Sequence, residues 1–234
     1  MSLPPPKIFA VGDIHGCHSK LVRLLDRLPL DKEVDTLVFV GDYINRGPDS
    51  RKVLDTLLQV QASYAHPVFL KGNHEQMLLE YAATGDVETL RILRTMGVES
   101  TVASYGATVR QLRDLAFFPP EHRNFLENLQ FSYISGNYLF THADINEEMI
   151  SLGRAAESFS PAEQQTEAGL LSSRRLSRGH SAMAENFAGY IVVFGHSPFE
   201  TPLVLHDRIC IDTGAVYGNV LTAVALPELR FYHA

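Results

Sequence analysis

The feature that most constrains this chain is a repeated local design: an apolar run of four to six residues that stops at a polar or glycine-bearing tip. Six such units follow one another: KIFAV to GDIHG, DTLVFV to GDYINRG, HPVFL to KGNHE, NYLF to THAD, YIVVF to GHS and RICI to DTGA. Runs of this length rich in Val, Ile and Phe are strand-like, and their lack of polar alternation predicts strands covered on both faces. Helical patterns separate the early units. SKLVRLLDRL carries Leu21, Leu24, Leu25 and Leu28 at helical spacing behind Ser19, a candidate cap, and DSRKVLDTLLQV repeats the pattern with Val53, Leu54, Leu57 and Leu58. Strand and helix alternate, so the first half reads as an α/β arrangement with at least partly parallel strands.

The later segments are of other kinds. From about 76 to 128 helical periodicity continues with little strand signal, which predicts a helical insertion beside the tips. Residues 153–188 are rich in Ser, Arg and Glu and are expected to form surface loops and short helices, whereas GNVLTAVALPELRFYHA reads as a closing strand pair. A length of 234 residues suits one domain spanning 1–234. With 45% hydrophobic and 20% charged residues, the composition is that of an ordinary globular chain.

A formal charge of -7 argues against nucleic acid or an anionic membrane as bulk partners, while leaving room for a local cationic pocket. Cys17 and Cys210 lie far apart without CxxC spacing, so two reduced thiols and a cytoplasmic setting are expected. The amino-terminal stretch has no secretory apolar region, and no run approaches the roughly 18 residues of a membrane span.

Ligands of open α/β sheets gather at the carboxyl ends of strands. The six tips would bring Asp13, His15, Asp42, Asn73, His74, His142 and His196 there. Carboxylate, imidazole and amide oxygen are ligand types for hard or borderline divalent metals. Asp13 and His15 alternate as they leave a strand and can share one ion. A carboxylate such as Asp42 can bridge two ions, and two metals about 3.5–4 Å apart activate a shared water and clamp phosphoryl oxygens.

The order GDIHG, GDY-x-x-RG, GNHE, a His-Ala pair after a strand and a late GH resembles the PPP family of metallophosphatases, most closely its bacterial serine/threonine protein phosphatase branch. Further matches are TVASYG, HRNFLENL, YLFTHAD, LLSSR and RICIDTGA, so the resemblance spans roughly residues 8 to 226. It implies an α/β fold of the calcineurin-like type, a central mixed β-sandwich flanked by helices. It also implies two divalent metal ions, manganese or an iron–zinc pair. By the same resemblance, Asp13, His15 and Asp42 would hold the first metal, and Asp42, Asn73, His142 and His196 the second. Arg46 and Arg174 would bind phosphate oxygens, helped by Asn73 and His74, and His74 would protonate the leaving oxygen. The implied activity is hydrolysis of phosphomonoesters, foremost phosphoserine and phosphothreonine of a protein substrate. The alternatives are a symmetrical diadenosine-tetraphosphate hydrolase and a catalytically weakened, phosphate-binding relative.

Three positions depart from the family pattern. Asn45 stands where an Asp normally pairs with the catalytic histidine. An Asn carbonyl oxygen can accept the same hydrogen bond without the charge, which predicts a slower enzyme whose acid titrates at lower pH. THAD places Asp144 beside the site, with solvent as its expected surroundings. LLSSR lacks the usual tryptophan, and Arg175 and Arg178 stand close enough to compete with Arg174.

Overall fold

All six apolar runs become strands, and their order in space explains why their tips meet. The computed structural model describes residues 6–145, 170–173 and 189–234. Its first half runs β1 (Ile8–Val11), α1 (His18–Arg27), β2 (Thr36–Phe39), α2 (Ser50–Ser63), β3 (His66–Phe69) and α3 (Asn73–Thr84). Next come α4 (Val87–Thr95), α5 (Val98–Ser104), a 3-10 turn at Val109–Arg113 and α6 (Pro120–Glu127). The remainder comprises β4 (Ser132–Ser135), β5 (Tyr138–Thr141), β6 (Ile191–Phe194), β7 (Leu203–Val204), β8 (Arg208–Cys210), a 3-10 turn at Ala215–Tyr217, β9 (Thr222–Leu226) and β10 (Arg230–His233).

The strands form two five-stranded sheets, ordered β10-β9-β1-β2-β3 and β4-β5-β6-β8-β7. Within the first sheet β1, β2 and β3 are parallel, and within the second β5, β6 and β8 are parallel. The six tip-bearing strands are therefore these two parallel triplets, and each triplet ends at one edge of its sheet. β9 and β10 form the antiparallel closing pair, with β9 also pairing β1. Two short strands, β4 and β7, went unread in the sequence.

Side-chain alternation along the strands explains the runs without polar residues. Ala10, Val38, Val40 and Val68 of the first sheet pack against Phe140, Val193 and Ile209 of the second, making the sandwich interior. Their neighbours Phe9, Val11, Leu37, Phe39 and Phe69 turn outward onto Leu21, Leu24, Val53, Leu54 and Leu57 of α1 and α2. Leu139, Val192, Phe194 and Cys210 face away from the interior on the second sheet, with Ile145 and Leu170. Fully burying one such side chain contributes about 1.5–3 kcal/mol, and strands loaded on both faces hold the site's edge rigid.

Helix α1 starts two residues earlier than a Ser19 cap would place it, at His18, and no side chain caps it. The amide of Cys17 donates to Ile14 O and the Cys17 carbonyl accepts from Lys20 and Leu21, so the tip itself winds into the helix and leaves Ser19 inside the first turn. The expected helical insertion is present as α3 to α6. Arg174, Arg175 and Arg178, and most of 153–188, lie outside the described residues.

Candidate dinuclear metal site

The tips are held in backbone conformations that side chains normally avoid. Positive φ is found at His15 (43°), Asp42 (53°), Asn45 (69°), Arg46 (65°) and His196 (65°), five of the seven non-glycine cases described. Each costs on the order of 1–2 kcal/mol, and such strain persists where the surroundings over-determine it. Two glycines allow the necessary crowding. A Cβ on Gly72 would collide with Asp42 Oδ1, and one on Gly195 with Asp13 Oδ1.

Two tight clusters of ligand atoms result, His15–Asp42–His74 and Asp42–His142–His196, each with its atoms within 4.8 Å of one another. Asp42 Oδ2 lies 3.4 Å from His15 Nε2 and 3.8 Å from His74 Nε2, while Oδ1 lies 3.5 Å from His142 Nε2. One carboxylate thus offers an oxygen to each cluster. Asn73 Oδ1 joins the second, 3.0 Å from His142 Nε2 and 3.1 Å from His196 Nδ1. Asp13 belongs to neither tight cluster. Both its oxygens receive the backbone amide of His196, at 3.2 and 3.0 Å, which ties the first sheet to the second at the site.

The donor set fits divalent cations. His15 Nδ1 donates to Ile44 O and His142 Nδ1 to Val40 O, both at 2.9 Å, so each ring turns an Nε2 lone pair into the pocket. Burial keeps both rings neutral, lowering His15 to about 3, with Arg46 adding to the effect, and His142 to about 4. Burial, then the neighbouring Asp212 and Asp42, push the Asp13 carboxyl well above the usual carboxylate range. Crowded carboxylates beside neutral imidazoles call for a cation as counter-charge.

Glu75 is a site residue that sequence reasoning missed. Its carboxylate accepts four backbone amides: Asp42 at 3.0 Å, Tyr43 at 2.9 Å, Ile44 at 3.2 Å and Gly72 at 3.0 Å. The GDYINRG loop is thereby clamped to the start of α3. Burial lifts the Glu75 carboxyl to about 7. All four partners are donors, however, and only the ionised carboxylate receives them without yielding a lone pair to a proton. The available signal was a Glu at the third position of a helix beginning after glycine.

Asn45 does not present its carbonyl oxygen to His74. Its Nδ2 lies 3.0 Å from His74 Nδ1, and its Oδ1 receives the Thr101 hydroxyl at 2.8 Å. The amide is therefore the donor, His74 Nδ1 the acceptor, and the ring proton sits on Nε2, facing Asp42 Oδ2. Burial first, then His15 and Arg46, hold His74 far below the ordinary histidine range, so it is neutral. The expected imidazolium acid is replaced by a neutral ring with one outward donor.

Arg46 is exposed, donates to His15 Nε2, and lies with Cζ 5.5 Å from the centre of the Tyr217 ring. Tyr217 is itself 65% exposed. Asp144 departs from expectation: it is 1% exposed rather than solvated, with Arg208 Nε 3.1 Å from its Oδ1. Arg208, equally buried, comes from β8, two strands across the sheet from β5, and turns what looked like a site carboxylate into an internal ion pair.

Two sheets whose parallel strands deliver buried histidines and a shared aspartate to one edge define the architecture of a metal-dependent phosphoesterase. Residues 6–221 match the calcineurin-like phosphoesterase family, and the chain belongs to it. Among curated relatives, the asymmetrical bis(5'-nucleosyl)-tetraphosphatase PrpE of Halalkalibacterium halodurans is 29% identical, covering 94% of this chain and 90% of that protein. The protein of the same name from Oceanobacillus iheyensis is 30% identical, over 96% of this chain and 90% of its own. A cold-active protein tyrosine phosphatase superposes with a TM-score of 0.73 at 20% identity, covering 98% of this chain and 76% of that one, a likeness of fold alone. Phosphoester hydrolysis is the activity class that follows. The serine/threonine branch expected from the motifs is not the name these curated relatives carry.

Proposed function

We propose that this chain hydrolyses dinucleoside polyphosphates, splitting a phosphoanhydride rather than the phosphomonoester of a serine or threonine. The observation that carries the reading is the Asn45 amide donating to His74. An alkoxide leaving group needs a proton delivered as the bond breaks, and a neutral imidazole is a poor acid for that task. A nucleotide phosphate leaves as a stable anion and needs only a hydrogen-bond donor, which His74 Nε2 supplies.

Asp13, His15 and Asp42, with Asp42, Asn73, His142 and His196, would hold two divalent cations, which supply phosphate charge neutralisation and an activated water when bound. Arg46 contributes a guanidinium fork for non-bridging phosphate oxygens. His15 Nε2 has a single lone pair, so its use as a ligand frees Arg46 for that role. The exposed Tyr217 ring beside Arg46 offers a stacking face to a nucleobase. The names of the curated relatives support the same substrate class and favour unequal cleavage over the symmetrical cut that stood as an alternative to phosphomonoester hydrolysis.

The test is product analysis with diadenosine tetraphosphate and added manganese, beside a phosphoserine peptide. The expected result is AMP plus ATP, with the peptide turned over far more slowly. Two ADP would mean a symmetrical cut, and preferential peptide hydrolysis would overturn the proposal.

A further inference from the structure

The Asn45 amide could in principle sit either way round, because its two ends are nearly the same shape. What sets its direction lies on two other elements. The backbone amide of Asn45 donates to Thr101 Oγ1 at 2.8 Å and to Ser50 Oγ at 3.2 Å. The two hydroxyls lie 3.1 Å apart, and Thr101 Oγ1 is 2.8 Å from Asn45 Oδ1. Asn45, Ser50 and Thr101 are all fully buried, so no solvent competes for these bonds.

A hydroxyl has one hydrogen and two lone pairs. The Asn45 amide and the Ser50 hydroxyl fill the two lone pairs of Thr101, leaving its hydrogen for Asn45 Oδ1. With the amide reversed, Thr101 would have to accept Nδ2 and turn its hydrogen to Ser50. The Ser50 proton would then lose the acceptor that Thr101 provides, and at a fully buried hydroxyl that is a cost on the scale of an unmade hydrogen bond. The hydroxyl pair therefore reads the amide in one direction.

We propose that Thr101, supported by Ser50, is a positioning residue for the reaction. It fixes the Asn45 amide with Nδ2 toward His74 and so selects the His74 tautomer whose proton is on Nε2. The inference rests on reading His74 as the group that faces the leaving oxygen. Among the described residues the Thr101 hydroxyl bonds Asn45 and Ser50 and none of the cation-ligand side chains. It acts through Asn45, and it gives the TVASYG stretch of α5 a chemical purpose that no motif of the six tips contains. The residue that sets the donor's direction thus comes from the helical insertion, while the donor itself sits on a strand tip.

The experiment compares the parent with Thr101→Val, which keeps the shape and removes the hydroxyl, and Thr101→Ser, which restores it. Imidazole ¹⁵N shifts of His74 are read in the zinc-loaded protein, alongside kcat and KM for diadenosine tetraphosphate. The parent and Thr101→Ser should show an unprotonated Nδ1 and a protonated Nε2. Thr101→Val should show both tautomers in exchange, with kcat lowered about two- to tenfold, the scale of one net hydrogen bond, and KM within about twofold. Should the valine variant fail to fold, Thr101→Ala provides the same comparison. An unchanged tautomer in a folded Val or Ala variant overturns the proposal. Because the ¹⁵N reading needs no substrate, it is decided separately from the substrate class: tautomer exchange without tetraphosphate hydrolysis would sink the functional reading and leave Thr101's role standing.

Discussion

Replacing Asn45 by Asp tests the direction of one hydrogen bond through the chemistry it permits. An Asp at 45 keeps the acceptor that Thr101 fills, but faces His74 Nδ1 with an oxygen in place of an N–H, across a 3.0 Å gap. That oxygen is satisfied only if Nδ1 carries a proton, gained either by a shift from Nε2 to the other neutral tautomer or by a second protonation of the ring. Carboxylate and imidazolium charges about 4 Å apart attract by roughly 4 kcal/mol at an effective dielectric near 20. Burying a carboxylate where a neutral amide stood takes back about half of this. The balance then shifts by roughly 2 kcal/mol toward the doubly protonated ring, a rise of about 30-fold in its small population. The ring stays mostly neutral, but the acid-bearing fraction grows, and substrates with poor leaving groups draw on that fraction. Hydrolysis of an alkyl phosphate, relative to diadenosine tetraphosphate, should therefore rise about 30-fold in Asn45→Asp. The assay is kcat/KM for both substrates at fixed manganese and pH. A ratio unchanged in a folded, metal-loaded variant would refute the assignment of Nδ2 as the donor.

Other perturbations probe separate parts of the site. Glu75→Ala strands four buried amides, and at about 1–3 kcal/mol for each unmade bond it should destabilise the protein by more than about 4 kcal/mol, read from urea unfolding. A loss below about 1 kcal/mol would show that the loop is held by other contacts. Asp42→Asn removes the charge that the two ligand clusters share and should reduce bound metal from two ions toward one per chain, measured by elemental analysis after dialysis. Full retention of both ions would contradict Asp42 as the bridge. Tyr217→Ala should raise KM for diadenosine tetraphosphate by about 5- to 150-fold, equivalent to about 1–3 kcal/mol of base stacking, while leaving an aryl phosphate unaffected. Equal losses on both substrates would place the ring in support of Arg46 instead.

Much of the architecture could be read before the structure because each tip-bearing strand announces itself twice, by an unbroken apolar run and by the abrupt change to Gly, Asp, His or Asn. That change marks the carboxyl end of the strand, so listing the tips also lists residues that the fold brings together. What escaped the sequence depends on directions and distant partners. Glu75 was visible, but its four amide partners follow from the left-handed turn at Asp42, which no residue pattern records. Asn45 was singled out, yet which end of its amide meets His74 is decided by Thr101, 56 positions away. Asp144 looked solvent-facing because its partner Arg208 lies on another strand beyond a long intervening segment. Strand β4, SYIS, mixes serines with its apolar residues, and β7 is only two residues long, so neither stood out as a run.

The amide of His196 closing on Asp13 has a consequence for how the molecule responds to change elsewhere. It is a stitch between the two leaves of the sandwich, drawn where Gly195 leaves no slack for even a methyl group. Any alteration that parts the leaves, such as a bulkier residue at Val38 or Val193, pulls on this stitch and on the ligands either side of it. Cation affinity then serves as a strain gauge for the interior, recording misfit between the sheets at a distance before either sheet loses its own order.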